Sequence, residues 1–221
     1  MEQALERAVA NGVKNLVIQP THLMHGAEYD ELTGIAAEYE DRFESLKIAE
    51  PLLGEVGKDA AEVNDDKKAV AEIVTAEACR AAGYADPAEA ADKGTAFVFV
   101  GHGTSHTAKV TYSQMQAQME DLGYDNVLIG TVEGEPEETA VEEIIERAKE
   151  GGYKKVILRP LMVVAGDHAN NDIGDVEDEE SWISMFADSG AFEGVECQVA
   201  GLGRIEGIQD LYVAHTGAVI G

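Results

Sequence analysis

The chain has 221 residues, enough for one large or two small domains. Its 45% hydrophobic content is ordinary for a globular protein, but 43 acidic residues against 16 basic ones give a formal net charge of −27. Such a surface repels phosphates and anionic lipid, which argues against nucleic acid or membrane as partners, and it draws small cations.

The first element is an acidic helical pattern, Met1-Glu2-Gln3-Ala4-Leu5-Glu6-Arg7, unlike a signal peptide, and it points to the cytoplasm. Apolar runs predict buried parallel strands at Asn15–Gln19, Leu46–Ala49, Ala96–Val100, Asn126–Thr131, Lys155–Pro160 and Val195–Ala200. Helical patterns lie between them, the clearest at Lys67–Ala82, Ala108–Leu122, Glu137–Glu150 and Glu180–Ala187. Gly12, Gly83, Gly123 and Gly152 fall where helix C-caps are expected. This alternation predicts an α/β fold with a mostly parallel sheet. Cys79 and Cys197 sit in apolar or amphipathic segments without CxxC spacing, so reduced, buried thiols are expected. No run is long and apolar enough to span a membrane.

The chain repeats itself. Glu6-Arg7-Ala8, Gly12, Lys14, Pro20 and Gly26 match Glu146-Arg147-Ala148, Gly152, Lys154, Pro160 and Gly166 at a constant offset of 140 residues (146 − 6). The weaker pair Leu46–Gly54 and Val195–Gly203 extends the match. We read two similar α/β halves facing each other across a cleft. The second half begins with two strand–helix units, Ala96 to Gly134, that precede its repeated segment; the first half has no counterpart and is expected to be incomplete. The expected division is residues 1–90 for the incomplete first half, 91–205 for the second, and 206–221 for a C-terminal helix packing back on the first. An unpaired apolar edge in the reduced half would favour self-association.

Three motifs fall just past predicted strand ends: Gly101-His102-Gly103-Thr104, Val132-Glu133-Gly134-Glu135-Pro136, and Ala165-Gly166-Asp167-His168-Ala169-Asn170. The carboxyl edge of a parallel sheet is where open α/β folds bind ligands. Two imidazoles and a carboxylate converging there suit a borderline divalent metal such as cobalt, nickel, iron or zinc. The glycines around His102 permit positive φ and close approach of a ligand. Asp167 is placed to orient an imidazole. At the repeat offset Glu28 is the counterpart of His168, so Glu28 and Tyr29, with His22 nearby, are candidates for the opposite wall of the cleft. His106 begins a helix, His215 lies on the last helix in a structural setting, and Tyr112, Met115 and Met119 read as core.

These segments resemble the anaerobic cobaltochelatase family CbiK. The resemblance is carried by Phe97 to Thr104, Val132-Glu133, Pro160 to Asp172, Gln19-Pro20 with His22, Gly26 and Glu28-Tyr29, Ser181-Trp182, and Gly201-Leu202-Gly203. It implies ATP-independent insertion of Co²⁺ into sirohydrochlorin, in anaerobic cobalamin biosynthesis, by two similar α/β domains around a tetrapyrrole cleft. It also implies that His102, Glu133 and His168 form the metal site and act in catalysis, with Gly103, Thr104, His22, Glu28 and Tyr29 on the substrate. Family members open with a strand and a Gly-Thr-Ser loop that does not precede Met1; a segment lying there could also carry a secretion signal, which would move the protein to the periplasm.

Metallation needs no nucleotide, and no Walker motif is present. Sirohydrochlorin is a polycarboxylate, so a strongly acidic host must offset repulsion with a few cations, for which Arg159 and Arg204 are candidates. The residues alone leave open an iron or nickel chelatase on a related tetrapyrrole, or a non-enzymatic binder of metal or tetrapyrrole.

Overall fold

The protein, described here from a computed structural model over residues 1–220, contains two parallel sheets of unequal size. The chain runs through α1 (Glu2–Ala10), β1 (Asn15–Ile18), α2 (Ala27–Ala37), β2 (Ser45–Ile48), α3 (Asp65–Ala82), α4 (Pro87–Asp92) and β3 (Thr95–Gly101). It continues through α5 (Val110–Asp121), β4 (Val127–Thr131), α6 (Val141–Glu150), β5 (Lys155–Pro160), α7 (Trp182–Asp188), β6 (Gly194–Cys197) and α8 (Glu206–Ile220). The expected strands appear within a residue or two of their bounds, except that the last ends at Cys197. Gly12, Gly83, Gly123 and Gly152 all adopt positive φ, as helix-terminating glycines do.

The larger sheet has the order β4-β3-β5-β6 and is parallel throughout. Strand β3, Thr-Ala-Phe-Val-Phe-Val-Gly, is buried on both faces, which explains its unbroken apolar run. Phe97 and Phe99 face one core with Ile129, Tyr112, Met115 and Met119. Val98 and Val100 face the other, with Ile144, Trp182 and Phe186. Helix α3 precedes this sheet in the chain yet packs on it: Val70, Val74 and Ala78 join the Phe97 core. On the opposite face Gly130 is required by packing, since a Cβ there would lie 2.3 Å from the Trp182 ring.

The smaller sheet pairs β1 with β2, in parallel. Its hydrogen bonds reproduce those of β5 and β6. Glu44 N–H donates to Lys14 O as Glu193 N–H does to Lys154 O, and Ala49 N–H to Ile18 O as Gln198 N–H to Leu158 O. Past the strands, Leu52 and Leu53 donate to His22 O and Leu23 O, as Leu202 and Gly203 donate to Met162 O and Val163 O. The internal repeat is therefore a repeat of backbone pairing. It stops where the larger sheet goes on: β5 lies between β3 and β6, whereas among the described residues β1 pairs only with β2. Leu16, Val17 and Ile18 are only half-buried, while the β5 residues from Val156 to Pro160 are all buried.

Helix α8 crosses back to the first half. Tyr212 Oη donates to His22 O at 3.0 Å, Thr216 Oγ1 to Gln19 Oε1 at 2.7 Å, and His215 contacts Glu50 O and Asp66 Oδ1 at 3.1 and 3.0 Å. The structural role expected for His215 is this one. Both cysteines are free, and burial pushes each thiol up to about 11. Among the described residues no helix is long and apolar enough to cross a membrane.

Candidate metal and substrate site

A cleft of ≈ 840 Å³ lies at the carboxyl ends of the strands and takes residues from both halves. That volume is within the range of about 300–1,000 Å³ usual for small-molecule sites. One wall carries Thr21, His22, Leu23, Met24, Gly26 and Glu28; the other carries the His102 loop, Tyr112, Glu133, Glu135 and Leu161 to Val164.

His102 leaves the end of β3 on a loop whose two glycines serve different purposes. Gly103 has φ +92, and a Cβ there would lie 2.8 Å from Glu133 Cβ. Gly101 does not have positive φ; a side chain there would run into the Tyr112 ring at 2.3 Å. Tyr112 Oη in turn accepts the Gly103 N–H at 3.1 Å, so this residue, expected as core, also holds the loop. Burial raises its hydroxyl pKa above the usual tyrosine value, against weaker lowering by its backbone hydrogen bonds. Glu133 is tied to the same loop, its N–H donating to His102 O at 2.9 Å.

His168 follows β5 and leads into a π-turn, Ala169–Ile173. Its Nε2 lies 3.1 Å from His102 Nε2, with the rings edge-on at 87° and centroids 4.4 Å apart. Each ring's other nitrogen faces an acceptor: His102 Nδ1 is 3.0 Å from Gly103 O, and His168 Nδ1 is 2.5 Å from Asp172 Oδ2. Both acceptors require N–H at Nδ1. In the neutral form each ring then turns its Nε2 lone pair toward the other, an arrangement satisfied by a cation bound to both. At 3.1 Å apart the two Nε2 atoms are near enough for one small cation to touch both.

The structure brings together some of the residues expected at the site. His102 and His168 meet, and Glu133 stands on the same wall. Yet among the described residues no group of three or more His, Cys, Asp or Glu side chains is close enough to hold a metal ion, so Glu133 does not close the triad as its side chain is placed. The partner expected of Asp167 is instead Asp172, one turn beyond His168; the signal was their i,i+4 spacing. Gly103, Thr104, His22 and Glu28 line the cleft. His22 Nδ1 is buried without a hydrogen-bond partner. Tyr29 is not in the lining: it packs on His25, ring centroids 4.2 Å apart, and its hydroxyl pKa is raised by burial first and then by Glu50. His106 caps the turn before α5 and reaches Asp30 in α2 at 3.2 Å, bridging the two halves. Arg159 is a correction: it is 3% exposed and donates to Gln198 Oε1 at 2.7 Å, away from the cleft, because β5 aims it under α3 beside Glu77.

Compared with solved structures, the chain shares its fold with SirB. The sirohydrochlorin chelatase SirB from Bacillus subtilis subspecies spizizenii, in complex with cobalt, superposes with a TM-score of 0.54 at 13% identity over 98% of this chain and 74% of that one. SirB from Bacillus subtilis with Fe³⁺ gives a TM-score of 0.60 at 13% identity, over 98% and 76%. The fold is therefore that of the α/β chelatases. A family model described as cobalt chelatase (CbiK) matches residues 1–221, and the chain belongs to that family. It is 28% identical over 213 residues to the sirohydrochlorin cobaltochelatase of Salmonella typhimurium, covering 96% of this chain and 71% of that protein. It is 29% identical over 222 residues to sirohydrochlorin cobaltochelatase CbiKC of Nitratidesulfovibrio vulgaris, covering 99% and 70%.

Proposed function

We propose that the chain inserts Co²⁺ into sirohydrochlorin, and that the His102–His168 pair holds the ion before transfer. The observation that carries this reading is the pair itself: two Nε2 atoms 3.1 Å apart, with both Nδ1 atoms committed to acceptors. The family membership and the names of the two cobaltochelatase relatives support the metal and the ring.

In this reading Glu133 supplies the third ligand. Its backbone is already fixed to His102 O, so only its side chain has to turn. Insertion exchanges one Co²⁺ for two pyrrole N–H protons, with no change of oxidation state and no nucleotide. As the metal leaves the imidazoles their lone pairs become free to accept those protons, and His102, at the cleft wall, is the preferred base. The bulk of the macrocycle lies between the two walls, against Gly103 and Thr104 on one side and His22 and Glu28 on the other. Tyr29 packs on His25, outside the lining, and is not part of this surface.

The test is anaerobic metallation of sirohydrochlorin by Co²⁺, followed by absorbance. His102→Ala and His168→Ala each remove half of the imidazole pair and are expected to lower the rate by about a hundredfold or more, in line with losing a several-kcal/mol metal interaction. His106→Ala retains most of it, and His22→Ala, which touches only the ring, loses less than either. Full activity in His168→Ala together with loss in His22→Ala would place the metal on the opposite wall.

A further inference from the structure

The charge on the two walls poses a problem that the structure also answers. The lining of the main cleft includes Glu28, Glu133 and Glu135 and no lysine or arginine. Lys109 is taken up by Glu135 of this lining at 2.7 Å. Arg159 is buried elsewhere, against Gln198. A ring bordered by carboxylate arms has no counter-charge inside this cleft, and an unpaired carboxylate among glutamates would be repelled.

A second cavity of ≈ 480 Å³ shares Val163 and Val164 with the cleft and lies beside it. Its lining includes Ala165, Asn170, Val199, Gly201, Gly203 and Arg204. Arg204 is the one lysine or arginine lining either cavity. It is exposed, and no ion pair within 4.0 Å engages it among the described residues. In a protein of net charge −27 an uncommitted guanidinium beside the site is a conspicuous asymmetry.

Its backbone is also placed with care. Gly201 sits so close to the loop after β5 that a Cβ would lie 2.7 Å from Val163 O and 2.8 Å from Ala165 N. Leu202 and Gly203 donate to Met162 O and Val163 O, Arg204 N–H donates to Gly201 O at 3.2 Å, and Gln209 Nε2 closes on Gly203 O at 2.8 Å. The turn bearing Arg204 is thus fastened to the segment that leads to His168, which fixes the backbone from which the guanidinium reaches the cavity.

We propose that this side cavity is the subsite for a carboxylate arm of the tetrapyrrole, and that Arg204 is its anchor and a determinant of specificity for acid-bearing rings. The inference rests on the chelatase reading for its ligand. Arg204 positions the ring and takes no part in the proton or metal exchange.

The experiment is equilibrium binding of metal-free sirohydrochlorin to the full 221-residue chain, by absorbance or fluorescence titration, for the wild type, Arg204→Gln and Arg204→Lys. A lost charge-assisted contact predicts a Kd about tenfold or more higher for Arg204→Gln at low ionic strength. Arg204→Lys keeps the charge and loses less, and the gap narrows as salt rises. Equal Kd values for wild type and Arg204→Gln would overturn the subsite, and so would a gap indifferent to salt, which would mean that the side chain only packs. Cobalt insertion by the wild type is read separately. Wild-type binding and insertion matched by Arg204→Gln removes the subsite and leaves the chelatase reading standing. A wild type that neither binds nor metallates the ring removes both.

Discussion

Asp172 does for His168 what Gly103 O does for His102: it claims Nδ1 and leaves Nε2 free for a metal. Partners of this kind typically govern metal affinity by about 10–100-fold, so Asp172→Ala should weaken Co²⁺ binding by about that factor while the fold is kept. Asp172→Asn, which retains an acceptor oxygen, should fall between. Calorimetric titration with Co²⁺ decides it, and an unchanged affinity would mean that the ring is oriented by something else. The two histidines were legible in the sequence because each sits in a glycine-flanked loop after an apolar strand. Asp172 was not singled out, since loop aspartates more often serve turns, and only the π-turn brings it back to the ring. Tyr29 was placed in the cleft by repeat symmetry. The symmetry holds for the backbone, but the side chain is captured by His25.

At the level of elements, the strands were readable because a parallel sheet covered on both faces leaves unbroken apolar runs, as in β3. The partner of α3 was not readable: its apolar side suits either sheet, and chain order suggests the wrong one. The start of α3 carries a feature with a measurable consequence. Lys67 is fully buried and donates Nζ to Leu53 O at 3.0 Å and Glu55 O at 2.7 Å, tying the helix to the loop after β2. Burial lowers its pKa to about 8, against weaker raising by Asp66 and Glu55. Between that value and the 10.5 of an unperturbed lysine the unfolded chain binds more protons than the folded one. Stability therefore rises with pH across this window, by up to about 1.4 kcal/mol per unit from this group, and the full penalty for the buried charge applies below pH 8. Urea unfolding from pH 7 to 10.5 should reveal the trend in wild type relative to Lys67→Met, where it is absent. Parallel pH curves would mean that Lys67 is not held in this environment.

For the whole molecule, the net charge of −27 acts in opposite senses on the two substrates. It attracts Co²⁺ and repels a polycarboxylate, and salt screens both. Raising ionic strength from about 0.02 to 0.2 M should slow Co²⁺ association in stopped-flow mixing while lowering the overall repulsion of sirohydrochlorin. A cobalt on-rate indifferent to salt would mean that the field at the cleft is set by local groups alone. The repeat was visible from the 140-residue offset; its mechanical meaning was not. The loops after β1 and β5 are each braced by paired backbone hydrogen bonds, from Leu52 and Leu53 on one side and from Leu202 and Gly203 on the other. Each wall is therefore stiff in itself, and across the mouth the described ion contacts include the single His106–Asp30 bridge at 3.2 Å. Behind the mouth the two walls share one core, in which Met24, Leu52 and Leu53 of the first half belong with Tyr112, Leu161 and Leu202 of the second. Hydrogen exchange is expected to find the amides of Leu52, Leu53, Leu202 and Gly203 equally slow with and without the ring. Fast exchange at those four amides in the empty protein would mean that the walls are moulded by the substrate. If they are slow, the cleft imposes one curvature on every ring it closes upon, and the protein acts as a former that bends the macrocycle to a fixed shape before any metal moves.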